Sequence, residues 1–274
     1  MNYTAEQVAD FSAQTFAYLQ VYAQDHVLKI RLNRPDKRNA MNPKMMDEIS
    51  FALAYAHFTP DIWLIVLEAE GKIFSAGADL KAFAGDAQPE TESTIPAPAG
   101  EVLLGELFVQ VHKPCIAKVH APVYAGGHLL IGGCTYVLAS DNAMFGLPEV
   151  KRGLFPMQVM ATLMQTLPPR RVLDWCIRGA TISASEAAQI GLVTQVVRPE
   201  ELDDTTDQLI ATLKQNSPTA IRMGLKAYDE LRSMDLSKAH GYLKGMLDEV
   251  IATEDAQEGL QAFKDKREPQ WTGK

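Results

Sequence analysis

Phe74-Ser75-Ala76-Gly77-Ala78-Asp79-Leu80-Lys81 and, further on, Tyr124-Ala125-Gly126-Gly127-His128-Leu129-Leu130 with Phe145-Gly146-Leu147-Pro148-Glu149 behind it are the stretches on which the reading of this chain turns. Each glycine segment follows an apolar run that reads as a buried strand, Trp63-Leu64-Ile65-Val66-Leu67 before the first and Cys115-Ile116-Ala117-Lys118-Val119 before the second. Each also precedes a predicted helix. A chain that leaves a strand, turns through glycine and enters a helix presents free backbone N–H groups at the helix start, where the macrodipole adds partial positive charge. Glycine suits such a turn because it accepts unusual dihedrals and lets the main chain approach a ligand with no side chain between. Two such amides can bind a developing oxyanion, and Glu149 places one carboxylate opposite them. Either segment alone is an ordinary turn, since Ala-Gly and Gly-Gly punctuate many α/β chains. The pair followed by Pro148-Glu149 is far more specific.

Working outward, Tyr18 to Ala23 and Val27 to Leu32 alternate as paired strands do, Pro43 to His57 has helical periodicity with proline near its first turn, and Trp63 to Glu68 is the next strand. This strand, strand, helix pattern repeats through the first two hundred or so residues. Residues 2–15 read as an extra helical arm. Residues 85–100, with Pro89, Pro96 and Pro98 among acids and small polar residues, have almost nothing to bury and read as a mobile loop, either a lid on the first glycine segment or a tolerated surface insertion. Beyond Val197 the chain turns helical, with segments near Leu202 to Gln215, Pro218 to Met234, Ala239 to Thr253 and Glu254 to Lys266.

The order and spacing of Leu32-Asn33-Arg34-Pro35-Asp36-Lys37-Arg38-Asn39-Ala40-Met41, Phe74 to Lys81, Lys113-Pro114 through Gly126-Gly127, and Phe145 to Glu149 resemble the crotonase family of enoyl-CoA hydratases and isomerases. The resemblance covers residues 17–270 and extends to Gly179 through Ala187 and Gly191-Leu192-Val193. It implies an α/β fold, a ββα spiral core over residues 17–197, preceded by the arm at 1–16 and followed by a helical trimerisation subdomain at 198–274. It also implies an acyl-CoA thioester as substrate, with coenzyme A part of that substrate and not a separate cofactor, and a homotrimer or a dimer of trimers.

Composition agrees with this and excludes other classes. A chain of 274 residues with 47% hydrophobic residues can build a sizeable core. A net charge of −8 argues against a nucleic-acid surface, which needs clustered Lys and Arg. No apolar run approaches the ~20 residues that span a bilayer, and Met1 to Gln14 contains Glu6 and Asp10 but no Arg, unlike a targeting peptide. Cys115, Cys134 and Cys176 lie in apolar stretches without metal-type spacing and read as core thiols of a reducing compartment. A cytoplasmic enzyme without a metal is the expectation.

The resemblance makes the chemistry specific. The backbone N–H groups of Ala78 and Gly126 match the family's oxyanion hole, which holds the thioester carbonyl as it becomes an enolate; such donors are worth ~3–4 kcal/mol each in acyl chemistry. Two-carboxylate hydratases of the family carry one glutamate matching Glu149 and another matching Leu129, so this chain lacks one acid. Hydration shares its proton transfers between two carboxylates, whereas moving a double bond needs one base that removes a proton at C2 and returns it at C4. The family's 3,2-enoyl-CoA isomerases also keep the acid matching Glu149 and carry leucine at the position of Leu129. Isomerisation is therefore expected, with hydration by Glu149 and water next, then decarboxylation of a dicarboxylic acyl-CoA through Lys81 and Tyr124, or acyl-CoA binding without turnover. Leu129, Tyr124, His128 and Phe155 are expected around the substrate, with burial beside Leu129, Leu147 and Phe155 raising the Glu149 pKa. Lys37, Arg38 and Ala40 match the family's nucleotide contact. The backbone at Ser75, Ala76, Ala78, Asp79 and Leu80 would edge the adenine, and Phe263 with Lys266 match a C-terminal contribution often made by a neighbouring subunit.

Overall fold

The computed structural model describes residues 1–84 and 91–274. Its strands are β1 (Leu19–Gln24), β2 (Val27–Leu32), β3 (Leu64–Ala69), β4 (Cys115–Val119), β5 (Val123–Tyr124), β6 (Tyr136–Ser140), β7 (Met144–Gly146), β8 (Thr181–Ser183) and β9 (Gln195–Val197). They form a six-stranded sheet in the order β1-β2-β3-β4-β6-β9 and a three-stranded sheet in the order β5-β7-β8. β1 and β2 pair antiparallel through a two-residue turn, Asp25-His26, in which both residues have positive φ, the geometry that matches the twist of a tight hairpin. From β2 to β9 the large sheet is parallel throughout. Twice the chain leaves a strand of the large sheet and enters the small one, β4 to β5 and β6 to β7, and a bridge between Ser75 and Val123 of β5 lays the first glycine segment beside the approach to the second.

The middle of the parallel sheet is apolar on both faces because both are covered, as βαβ crossovers require. Alternate side chains of β3 go opposite ways: Ile65 and Leu67 join the larger core, and Leu64 and Val66 join Ile116, Leu138 and Val197 beneath Leu202 and Leu213 of the helix Leu202–Lys214. The larger core holds the helix Pro43–Phe58, with Met45, Ile49, Phe51, Ala52 and Leu53 fully buried. Its start is set by Asn42, whose side chain accepts from Met45 N, and by Pro43 in the first turn; such a cap is worth ~1 kcal/mol. Its end is held by the buried Lys113 ammonium, which donates to the Ala56 and Thr59 carbonyls.

The arm forms two short helical turns, Ala5–Val8, closed at its start by a reciprocal Thr4–Gln7 cap, and Phe11–Ala13. Tyr3, Val8 and Phe11 are in the core, and the Phe11 ring stacks on Tyr55 at 3.8 Å between centroids. The buried Glu48 carboxylate accepts from Ala17 N at 2.6 Å and Tyr18 N at 2.9 Å, fixing the approach to β1. Of the expected mobile loop, residues 85–90 lie outside the described residues. Residues 91–100 do not fit it: Ile95 is buried, Thr94 N donates to Thr15 O, and Ala99 N donates to Asn2 O, so this stretch is tied to the arm. Helices Pro218–Leu231, Leu236–Ile251 and Glu254–Asp265 follow the one at Leu202–Lys214, close to the expected segments. Among the described residues no helix is long and apolar enough to cross a membrane.

Candidate active site

The two glycine segments meet through their backbones. Gly77 has φ +90, and a Cβ built on it would lie 2.7 Å from the Gly126 nitrogen, so only glycine permits this contact. A Cβ on Gly126 would stand 3.3 Å from the Ala78 nitrogen. The amides of Ala78 and Gly126 are thus neighbours across a gap that any side chain at 126 would fill.

Among the described residues both amides are left over by the surrounding hydrogen bonds. The bridge between Met41 and Ala78 uses Met41 N to Gly77 O and Asp79 N to Met41 O, which turns the Ala78 N–H towards the other side. Gly126 is the second residue of the 3-10 turn Ala125–Gly127, a position with no acceptor inside the turn. The helices that follow are short, Leu80–Phe83 and His128–Ile131, four residues each. The expected macrodipole is correspondingly small, and the two N–H groups act as individual donors.

Ala78 and Gly126 line one cavity of about 340 Å³ with Met41, Leu104, Leu129, Glu149 and Phe155. The walls are mainly apolar. Glu149 enters from the 3-10 turn Pro148–Arg152, which follows β7 directly. Its Oε2 is buried and has no hydrogen-bond partner among the described residues. Burial raises the Glu149 pKa above the ordinary glutamate value, against the lowering pull of its own backbone N–H and of the Arg152 charge. A carboxylate in this state is a stronger base than one on the surface. Leu129 and Phe155 stand beside it, and Leu147 is fully buried two residues before it, as expected.

A second cavity of about 150 Å³ shares Leu104, Leu129 and Gln158 with the first and adds Glu106, Ala161 and Thr162. A third, of about 300 Å³, shares Ala76 and Arg152 with the first and is lined also by Arg38 and Tyr124. Arg152 was missed at the sequence level, although its place three residues after Glu149 in one tight turn is the signal that would have found it.

Several expected site residues are placed elsewhere. His128 lines none of these three cavities; it is fully buried, with Nδ1 against the Ala125 carbonyl at 2.9 Å. Tyr124 lines the third cavity and not the first. The Asp79 carboxylate is held by the Arg34 guanidinium at 2.8 Å, a contact that, as the largest cause, lowers the Asp79 pKa, and the Asp79 backbone N–H donates to Met41 O. Ser75 is internal, its Oγ donating to Asn39 O and accepting from Gly77 N, so it shapes the glycine turn. Ala76 and Leu80 do line the main cavity. Lys37 is exposed, and Ala40 gives its carbonyl to Arg34. Phe263, 84% exposed, and Lys266 line none of these cavities in their own chain. Among the described residues no group of three or more His, Cys, Asp or Glu is placed to hold a metal.

A family model described as enoyl-CoA hydratase/isomerase matches residues 22–274. A probable enoyl-CoA hydratase of Mycobacterium tuberculosis, echA8, is 32% identical over 259 residues, spanning 94% of this chain and 99% of that protein. A carnitinyl-CoA dehydratase of Salmonella arizonae is 36% identical over 257 residues, 90% of this chain and 95% of the relative. Among solved structures, an enoyl-CoA hydratase from Mycobacterium tuberculosis H37Rv superposes with a TM-score of 0.82 at 27% identity, covering 94% of this chain and all of that one. An enoyl-CoA hydratase subunit from Geobacillus kaustophilus superposes with a TM-score of 0.81 at 31% identity, covering 94% of this chain and 99% of its own. With its two sheets, its wound topology and its paired glycine segments, the chain has the crotonase fold and belongs to the enoyl-CoA hydratase/isomerase family.

Proposed function

We propose that the chain isomerises 3-enoyl-CoA to 2-enoyl-CoA with Glu149 as its single acid and base. The observation that carries this reading is that Glu149 is the one carboxylate among the described residues lining the main cavity, its Oε2 buried and unpartnered beside Leu129. Glu149 removes a proton from C2, and the electron pair moves through the thioester to its oxygen, which the Ala78 and Gly126 amides hold. The protonated Glu149 then delivers the proton to C4, leaving the double bond between C2 and C3. No water is consumed, and the apolar walls keep the dienolate from wasteful protonation.

The phosphates of coenzyme A are proposed to lie along Arg38 and Arg152 in the adjoining cavity, with the thioester reaching past Ala76. A homotrimer, or a pair of them, is supported by Leu236, Leu243, Leu247 and Ile251, exposed on the helix Leu236–Ile251, with Leu260 and Phe263 exposed on the next. Residues 198–274 would then be the assembling subdomain, and Phe263 and Lys266 would reach a neighbour's coenzyme. The free thiols of Cys115, Cys134 and Cys176 agree with a reducing, cytoplasmic setting.

Hydration is the second reading. It is favoured by the hydratase and dehydratase names of the relatives and by Glu106, a carboxylate of the cavity that shares Leu129 with the main one. The test is to incubate the protein separately with 3-hexenoyl-CoA and crotonyl-CoA and follow the products by chromatography and mass. Conversion of the first without mass change, lost in Glu149→Gln, is the expected result. Addition of one water to crotonyl-CoA, lost in Glu106→Gln, would establish the second reading instead.

A further inference from the structure

His128 is an expensive residue to bury. It is fully enclosed, its Nε2 has no hydrogen-bond partner among the described residues, and its ring stands edge-on to Trp175 at 5.1 Å and 90°. A leucine or phenylalanine would fill such a place without leaving a polar atom unpaired. What the imidazole adds is one hydrogen bond: Nδ1 lies 2.9 Å from the Ala125 carbonyl, which can only accept, so Nδ1 carries the proton and Nε2 is the bare nitrogen. The same carbonyl also accepts from the His128 backbone N–H.

The Ala125 carbonyl and the Gly126 N–H belong to one trans peptide, in which the two bonds point in opposite directions. Holding the carbonyl on one side therefore aims the N–H on the other. The peptide needs holding. Ala125 has φ +49, a conformation that alanine keeps only where its surroundings impose it, and Gly126 has no side chain to resist rotation. Two donors on the carbonyl also polarise the peptide and strengthen its N–H as a donor. Trp175 backs the imidazole ring, while its indole N–H donates to Ala180 O, the carbonyl that also accepts from Leu147 N, two residues before Glu149.

We propose that His128 is a positioning residue that fixes the Ala125–Gly126 peptide so that the Gly126 amide meets the thioester oxygen. The inference rests on the reading of Ala78 and Gly126 as the oxyanion donors. It assigns His128 no contact with substrate and no proton transfer.

The test uses the full-length protein with His128→Leu, which removes the donor, and His128→Asn, whose Nδ2 can donate to the same carbonyl. Folding is checked by thermal denaturation; if His128→Leu does not fold, His128→Cys takes its place. The readouts are kcat and KM on an acyl-CoA that the parent turns over, and the ¹³C shift of the labelled carbonyl of bound 2,4-hexadienoyl-CoA. The parent should move that carbonyl downfield on binding. His128→Leu should lose at least half of the shift and lower kcat roughly ten- to a hundredfold, the cost of misaiming a donor by about 1 Å, with KM within about threefold. His128→Asn should restore most of both. A full carbonyl shift in His128→Leu, or a kcat loss in both variants without a change of shift, would overturn the positioning role and leave the oxyanion reading intact. No shift in the parent would overturn the oxyanion reading and this inference with it.

Discussion

Glu68 and Glu149 are both carboxylates drawn out of water, and the chain treats them in opposite ways. Glu68 stands opposite Arg31 in the β2–β3 register, with Arg31 at 2.6 Å and the Lys118 ammonium also at 2.6 Å. Burial alone would raise its pKa, but the Lys118 and Arg31 contacts outweigh that and leave it lowered. Glu149 has no such partners; Arg152 acts on it only through space, burial prevails, and its pKa is raised. A buried carboxylate with two cations on it is held as structure, and one with a bare oxygen facing a cavity is held ready for a proton.

The contrast is broken most sharply by removing each acid. Glu149→Gln should lower kcat by roughly a thousandfold, within the range of about 10²–10⁴ for a lost general base, while the melting temperature holds or rises slightly. Acyl-CoA turnover and a thermal melt on the same preparation check both halves. Glu68→Gln should do the reverse: turnover per folded molecule stays near the parent's, and stability falls by about 2 kcal/mol, since Arg31 and Lys118 lose their shared partner but keep Glu70 and Asp203. Urea unfolding reads that loss.

The pH dependences should also run in opposite directions. With its folded-state pKa raised, Glu149 favours folding below its unfolded pKa, and that contribution disappears as pH rises through the folded value. Glu68, with a lowered pKa, contributes above its unfolded pKa and loses that contribution as pH falls through the folded value. The stability gap between the parent and Glu68→Gln should therefore close on acidification, while Glu149→Gln should gain on the parent as pH rises. Activity should rise with pH through an inflection above the ordinary glutamate range, since the base must be ionised, as a kcat/KM profile would show. The smallest expected effect is from Leu129→Glu, which restores a second carboxylate to the cavity: roughly a tenfold rise in the ratio of hydration to isomerisation, read on crotonyl-CoA and 3-hexenoyl-CoA. The new like charge should also move the kcat/KM inflection upwards.

Much of the fold was legible because it rests on short-range signals. The alternation in β2, the apolar runs of β3 and β4, and the proline in the first turn of the long helix each declare themselves within a few residues. The glycine segments were legible because Gly77 takes a φ and a backbone contact that exclude every other residue. What stayed hidden depends on partners remote in sequence. The Arg34 guanidinium that pairs the Asp79 carboxylate is 45 residues away in sequence, and residues 91–100 look unanchored until Thr15 and Asn2 are seen holding them. The direction of His128 is equally invisible, because the first residue of a helical turn can face substrate or core. Nothing in alanine's identity announces the positive φ of Ala125.

Leu129 belongs to the lining of both the 340 Å³ and the 150 Å³ cavities. If the acyl tail of the proposed substrate runs from the first cavity into the second, one side chain sits between two traits: whether a second acid stands near the thioester, and how freely the tail passes towards Thr162 and Gln165. Laboratory evolution at this position would meet pleiotropy, since a substitution selected for water addition would also alter which chain lengths are accepted. Separating the two traits would require compensating changes at Leu104 or Gln158, the other residues common to both spaces.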